Sequence, residues 1–194
     1  MRSRIKKIRE KHIEVVDRFF EENYKKLENI VSKMEATIKE GGKILIAGNG
    51  GSTADALHMS AELIGRFYKE REPIPAIALP SNPSILTEIG NDYDFRYVFK
   101  RQIEGLGKKG DIFIAISTSG NSENIIEGLK VAKEMGIYTI GLSGESGGKM
   151  RDHTDICLCV PSLDTPRIQE VHIMIIHILC EFLEERLYGD KNGI

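Results

Sequence analysis

The chain has 194 residues, is 41% hydrophobic, and carries 27 Lys and Arg against 29 Asp and Glu, a formal charge of -2. That is enough apolar material for one substantial core and too little for two. The charge balance supplies no broad attraction for nucleic acid or anionic lipid, so any bound phosphate must be held by local geometry. No stretch reaches the roughly 18 apolar residues that span a bilayer, and the opening MRSRIKKIREKH lacks the apolar run of a secretion signal. Cys157, Cys159 and Cys180, with no CxxC among them, read as buried reduced thiols. The expectation is a cytoplasmic protein that touches neither nucleic acid nor membrane.

In chain order, Ile13, Val16, Phe20, Tyr24, Leu27, Val31, Met34 and Ile38 recur at helical steps with charges between them, and Gly41-Gly42 ends the run. Residues 1–41 therefore form an N-terminal helical extension, whose stripe is covered by its own domain and by helices of neighbouring subunits. From residue 42 to 194 the pattern alternates within one structural unit. KILIAG, IPAIALP, DIFIAIS, YTIGLS and DICLCVP read as strands buried on both faces. Helices are predicted between and after them, roughly Thr53 to Tyr68, Asp94 to Leu106, Glu123 to Met135 and Pro166 to Leu187. The fold class is α/β, a three-layer arrangement with a five-stranded parallel sheet and helices on both faces. Ligands of such sheets sit beyond the carboxyl ends of the strands.

Two strand ends carry chemistry. The first runs into Gly48-Asn49-Gly50-Gly51-Ser52 and then a helix. This is neither a dinucleotide fingerprint nor a Walker loop. A tight turn explains it as well as ligand binding does. The third ends in Ser117-Thr118-Ser119-Gly120-Asn121-Ser122 before a helix at Glu123. Hydroxyls beside the N–H groups of a helix N-terminus form an anion site without lysine. No pattern for phosphoryl transfer accompanies it, so the phosphate reads as a handle on the substrate. On the helices, His58 and Glu62 share a face, while Gln169 and His177 are about 12 Å apart along the axis. These four could hold Zn²⁺ or provide an acid and a base.

Taken together, AGNGGSTADALHMSAELIGRF, IGNDYDF, ISTSGNSENI and DTPRIQEVHIMIIHILCE resemble the phosphoheptose isomerases of the sugar-isomerase (SIS) superfamily. The serine loop is a feature of the superfamily; HxxxE and RIQExHxxxxH belong to the heptose branch. The resemblance implies an aldose–ketose isomerase acting on sedoheptulose 7-phosphate, in homotetramers with active sites at subunit interfaces, often with one zinc per subunit. It assigns substrate contacts to Asn49, Gly50, Gly51, Ser52, Asn91, Asp92, Ser117, Thr118, Ser119, Ser122 and Gln169. Glu62, which also touches substrate, and His177 take the catalytic roles. His58, Glu62, Gln169 and His177 match the metal ligands. The stretch Asp164-Thr165-Pro166 departs from the pattern of some members. Two competing readings are a non-catalytic replication-initiator-binding protein of the same superfamily and an isomerase of another sugar phosphate.

Overall fold

The computed structural model describes residues 1–189. Its elements are α1 (Arg2–Lys39), β1 (Ile44–Gly48), α2 (Gly51–Ile64), β2 (Ala76–Ala78), α3 (Pro83–Asp92), α4 (Lys100–Leu106), β3 (Ile112–Ser117), α5 (Glu123–Glu134), β4 (Tyr138–Ser143), β5 (Ile156–Cys159) and α6 (Thr165–Tyr188), with short 3₁₀ turns between some of them. All strand pairs are parallel, in the order β2-β1-β3-β4-β5. This is the expected five-stranded sheet. The continuous apolar runs of β1 and β3 follow from burial on both faces.

Alternate residues along the strands feed two cores. Ile44, Ile46, Ile112, Ile114, Ile140, Leu142 and Leu158 pack under α1, α2 and α6. Leu45, Ala47, Phe113 and Ala115 pack under α4 and α5 through Ile103, Ile125 and Leu129. Because β2 and β3 flank β1 on opposite sides, the winding of the chain reverses between β1 and β3. A crevice therefore opens at their carboxyl ends.

The helix α1 is built into the first of these cores. Val15, Phe19, Leu27, Ile30 and Met34 are buried there, and its N-terminal half is tied to the start of α6. Lys11 Nζ donates to Asp164 Oδ2 at 3.0 Å, His12 Nδ1 lies 2.7 Å from Glu170 Oε2, and Arg167 donates to the Ile8 carbonyl. The buried stripe is rotated from the expected one, since Ile13 and Tyr24 are exposed along with Ile5 and Ile8. Tyr24 lines an apolar groove with Phe20, Leu27, Ile178 and Phe182 between α1 and α6.

Three boundaries differ from the sequence expectation. The helix α2 stops at Ile64, four residues before Tyr68, because Arg71 occupies its terminal carbonyls. The stretch from Asp94 splits into a 3₁₀ turn and the shorter α4. The helix α3 lies outside the predicted helices: it is short and largely exposed, with Ile89 its buried residue. Its start is nevertheless written in Asn82-Pro83, where the Asn82 side chain accepts from Ser84 N and Ile85 N and Pro83 takes the first helical position. Among the described residues no helix is long and apolar enough to cross a membrane.

Candidate active site

The crevice between β1 and β3 is walled by the two motif-bearing loops. Asn49 and Asn124 join them by reciprocal side-chain amide bonds of 2.9 Å each, linking the end of β1 to the first turn of α5. Packing explains Gly48 and Gly51 of the first loop, and a φ of 56° explains Gly50. A Cβ on Gly48 would fall 2.4 Å from the Ser52 carbonyl oxygen, and one on Gly51 would fall 2.3 Å from Gln169 Nε2. The N-terminus of α2 thus lies directly against the Gln169 amide, and Ser52 is buried behind it.

At the end of β3 the hydroxyls gather. Ser117 Oγ is 3.1 Å from Ser122 Oγ and 3.5 Å from Ser119 Oγ. Ser122 is the N-cap residue of α5, yet its side chain makes no cap hydrogen bond, so its hydroxyl is turned to Ser117 instead of to its own helix. Three hydroxyls beside an uncapped helix N-terminus suit an anion with several acceptor oxygens. A second turn supports them from behind: Gly144 N donates to Thr118 O, Met150 N to Gly120 O, and Lys149 N to Asn121 Oδ1.

The acid–base residues lie further along α2 and α6. His58 Nε2 is 3.1 Å from Glu62 Oε1 and 3.1 Å from His177 Nε2, and the Phe67 ring packs 5.8 Å from that of His177. The cluster is partly open to solvent, with 43% of the His58 side chain and 26% of the Glu62 side chain exposed. Gln169 stays at Gly51, seven residues and about 10 Å along α2 from His58. Both close contacts of the acid–base cluster run through His58 Nε2. Among the described residues no three His, Cys, Asp or Glu side chains form a group placed to hold a metal ion. The spacings of 3.1 Å nevertheless come near the edge of a tetrahedron with zinc bonds of about 2.0–2.1 Å, an edge of about 3.3 Å. Imidazole and carboxylate are donors zinc takes, but only the two spacings at His58 Nε2 approach that edge, and Gln169 lies away from them at Gly51. Asn91 and Asp92 pair with each other at 2.7 Å on the exposed end of α3.

Three further residues shape this site and carry no recognisable signature in sequence. Glu184 on α6 accepts the backbone N–H groups of Phe67, Tyr68 and Lys69 and pairs with Arg71 Nε at 2.9 Å, both side chains being 1% exposed. Burial pushes the Glu184 carboxyl up, but these N–H groups and the guanidinium outweigh it and hold the pKa below the usual range. Arg71 in turn donates to the carbonyls of Leu63 and Glu62, fixing the end of α2 that carries Glu62 and the segment that carries Phe67. Asp55, one turn before His58, has a buried Oδ2 without a hydrogen-bond partner. Desolvation pushes its pKa from 3.8 to about 6, with the His58 charge opposing the rise. His172 is a core residue, its Nε2 3.2 Å from the Ser143 carbonyl oxygen, and burial lowers its pKa to about 4.

A family model for the SIS domain matches residues 9–144. The chain is 52% identical over 165 residues to a phosphoheptose isomerase of Clostridium acetobutylicum, covering 85% of this chain and 84% of that protein. It is 54% identical over 156 residues to one of Helicobacter hepaticus, covering 80% of each. Among solved structures, the phosphoheptose isomerase of Neisseria gonorrhoeae superposes with a TM-score of 0.90 at 38% identity, over 95% of this chain and 98% of that one. The phosphoheptose isomerase of Francisella tularensis gives a TM-score of 0.91 at 34% identity, over 94% and 97%.

Two outcomes follow from the buried charges. Arg71→Met leaves Glu184 buried without its cation and is expected to cost about 3–5 kcal/mol in urea denaturation. Asp55 has its pKa raised on folding, so it favours the folded state most below pH 3.8, and that contribution is lost as pH rises through about 6. The melting temperature of Asp55→Asn relative to the parent should therefore climb across that window and level off above it.

Proposed function

The chain belongs to the SIS-domain family and, within it, to the phosphoheptose isomerases, and from that premise we propose that it interconverts sedoheptulose 7-phosphate and D-glycero-D-manno-heptose 7-phosphate. The reaction serves heptose precursor biosynthesis. Identity of about half the residues to named phosphoheptose isomerases favours this reading over an initiator-binding role or another sugar phosphate. The observation that carries the chemistry is the contact chain Glu62–His58–His177, which assembles a carboxylate and two imidazoles on adjoining helices.

In the proposed mechanism the Ser117, Ser119 and Ser122 hydroxyls, with the N-terminus of α5, hold the phosphate. Thr118 and the Asn49–Ser52 loop line the sugar. Asn91, Asp92 and Gln169 complete the contacts expected of the family. Glu62 removes a proton from C1 of the ketose. The electrons of the C1–H bond form the C1–C2 double bond while the carbonyl electrons move onto O2. His177 protonates O2, giving the enediol. The deprotonated His177 then takes the O1 proton as C1=O forms, and Glu62 delivers its proton to C2, which completes the aldose and restores both groups. A positioned acid–base pair of this kind contributes about 10²–10⁴ in rate. We assign His58, Glu62, Gln169 and His177 as ligands of a zinc ion, which when bound would polarise the sugar oxygens; Gln169 joins the others only by leaving Gly51.

We further assign a homotetramer with composite sites, working in the cytoplasm. The assembly is supported by unburied apolar surface: side chains on α1 and α6, including Tyr24, Met174 and Phe182, stay exposed in the single chain.

NMR of sedoheptulose 7-phosphate with the enzyme in D₂O should show deuterium entering beside the carbonyl. Glu62→Gln should lower kcat by about 10²–10⁴ with folding unchanged; near-native turnover would refute the role. Co-expression of Ser119→Ala and Glu62→Gln chains should give mixed oligomers with a higher kcat/KM than the mean of the two variants if each site draws on two subunits, and no gain over that mean if one subunit suffices.

A further inference from the structure

On β5 the side chains of Cys157 and Cys159 point to the same face, their Sγ atoms 3.7 Å apart, close enough for one thiol to donate to the other. Both are half-buried. Each sulfur occupies room left by a glycine: a Cβ on Gly141 would come within 3.2 Å of Cys157 Sγ, and one on Gly147 within 3.1 Å of Cys159 Sγ. The two thiols are electrostatically unequal. The contact with Cys157 does most to hold the Cys159 thiol down to about 6; burial opposes it, and the Arg151 and Lys26 charges assist. The same contact and burial push the Cys157 thiol up. The pair consists of one nucleophilic sulfur beside a second that can resolve it.

Cys159 is also mechanically connected to the serine turn. Gly147, against which its sulfur packs, belongs to the turn that supports that loop. A Cβ on Gly120 would meet Gly147 O at 2.0 Å, and one on Gly148 would meet the carbonyl oxygens of Ser119 and Gly120 at 2.6 Å. Met150 N donates to Gly120 O at 2.9 Å. Backbone stands on backbone here, with no side chain between to absorb a displacement.

We propose that Cys159 is a modification site for hydroperoxides, resolved by Cys157, and that its oxidation weakens binding of the substrate phosphate at the serine turn. The effect on binding rests on the reading of that turn as the phosphate site. The Cys159 thiolate attacks one peroxide oxygen, the O–O bond breaks, and the departing oxide takes a proton. Sulfur is oxidised to the sulfenic acid and the peroxide is reduced to water or alcohol. Cys157 then attacks that sulfur; the S–O bond breaks, and hydroxide leaves with the Cys157 proton as water. Residues two apart on a strand have Cα atoms about 6.4–6.8 Å apart, the upper end of the disulfide range, so closing the bridge bends the end of β5. An oxygen on Cys159 or a bend at β5 displaces Gly147 and, through it, Gly120 and Ser119.

The test uses the full chain treated with hydrogen peroxide, followed by peptide mass mapping and kinetics on sedoheptulose 7-phosphate. The expected result is a Cys157–Cys159 bridge reversed by dithiothreitol, with the buried Cys180 unmodified. KM should rise about tenfold, equivalent to about 1.4 kcal/mol of lost binding, with a smaller change in kcat. Cys159→Ser should keep its KM under peroxide, and Cys157→Ser should stop at a sulfenic acid on Cys159 that dimedone traps. Unmodified Cys159 at peroxide levels that oxidise free glutathione would overturn the site. Oxidation of Cys159 without a change in KM would overturn the coupling. Ser119→Ala separates the two readings: if it leaves KM unchanged, the phosphate assignment fails while the thiol chemistry stands on its mass map.

Discussion

The reversal of winding between β1 and β3 is the constraint on which the rest of the molecule depends. A parallel sheet covered on both faces allows a ligand near its backbone only where neighbouring loops depart in opposite directions. Here that point is bordered by the Asn49–Ser52 loop and the serine turn. The Asn49–Asn124 amide pair bridges the gap, so the two loops keep a fixed distance without filling the crevice. Two glycines at this edge answer a close approach from another segment. Gly51 meets Gln169, and Gly120 meets the turn at Gly147.

A second feature is the division of labour along α2 and α6. Their N-terminal ends meet where Gly51 touches Gln169, and two turns further on they meet again where His58 touches His177. The first contact lies beside the Asn49–Ser52 loop; the second brings His58, Glu62 and His177 together. Glu184 and Arg71 stabilise the far end. They stop α2 after Ile64 and give the following segment, with Phe67, backbone partners it would otherwise lack. This polar knot is costly to bury, and its return is a defined direction for the carbonyl end of the helix that bears Glu62.

Much of this was legible residue by residue. Continuous apolar runs specified the strands, since two-sided burial leaves no alternation to confuse with a helix. The density of hydroxyls after Ile116 marked the anion turn, and the four-residue step from His58 to Glu62 guaranteed their common face. Other residues were silent. Asn124 looks like any first-turn residue until Asn49 is seen opposite it. Asp55 reads as a solvated helix charge, yet its Oδ2 is enclosed without a partner. His12 reads as exposed and in fact contacts Glu170.

By itself the sequence determined the local periods and breaks: which segments are strands, where α1 ends, and which helical residues share a face. These depend on neighbours a few residues apart. Only the tertiary structure decided which faces meet, because sheet order joins positions as far apart as Ile44 and Ile112, and helix packing joins His58 to His177. It set Gln169 on Gly51 instead of beside His58, rotated the buried stripe of α1 away from Ile13 and Tyr24, and closed the Arg71–Glu184 pair. Long-range contacts form only when the whole core closes around them, and no local period records that closure.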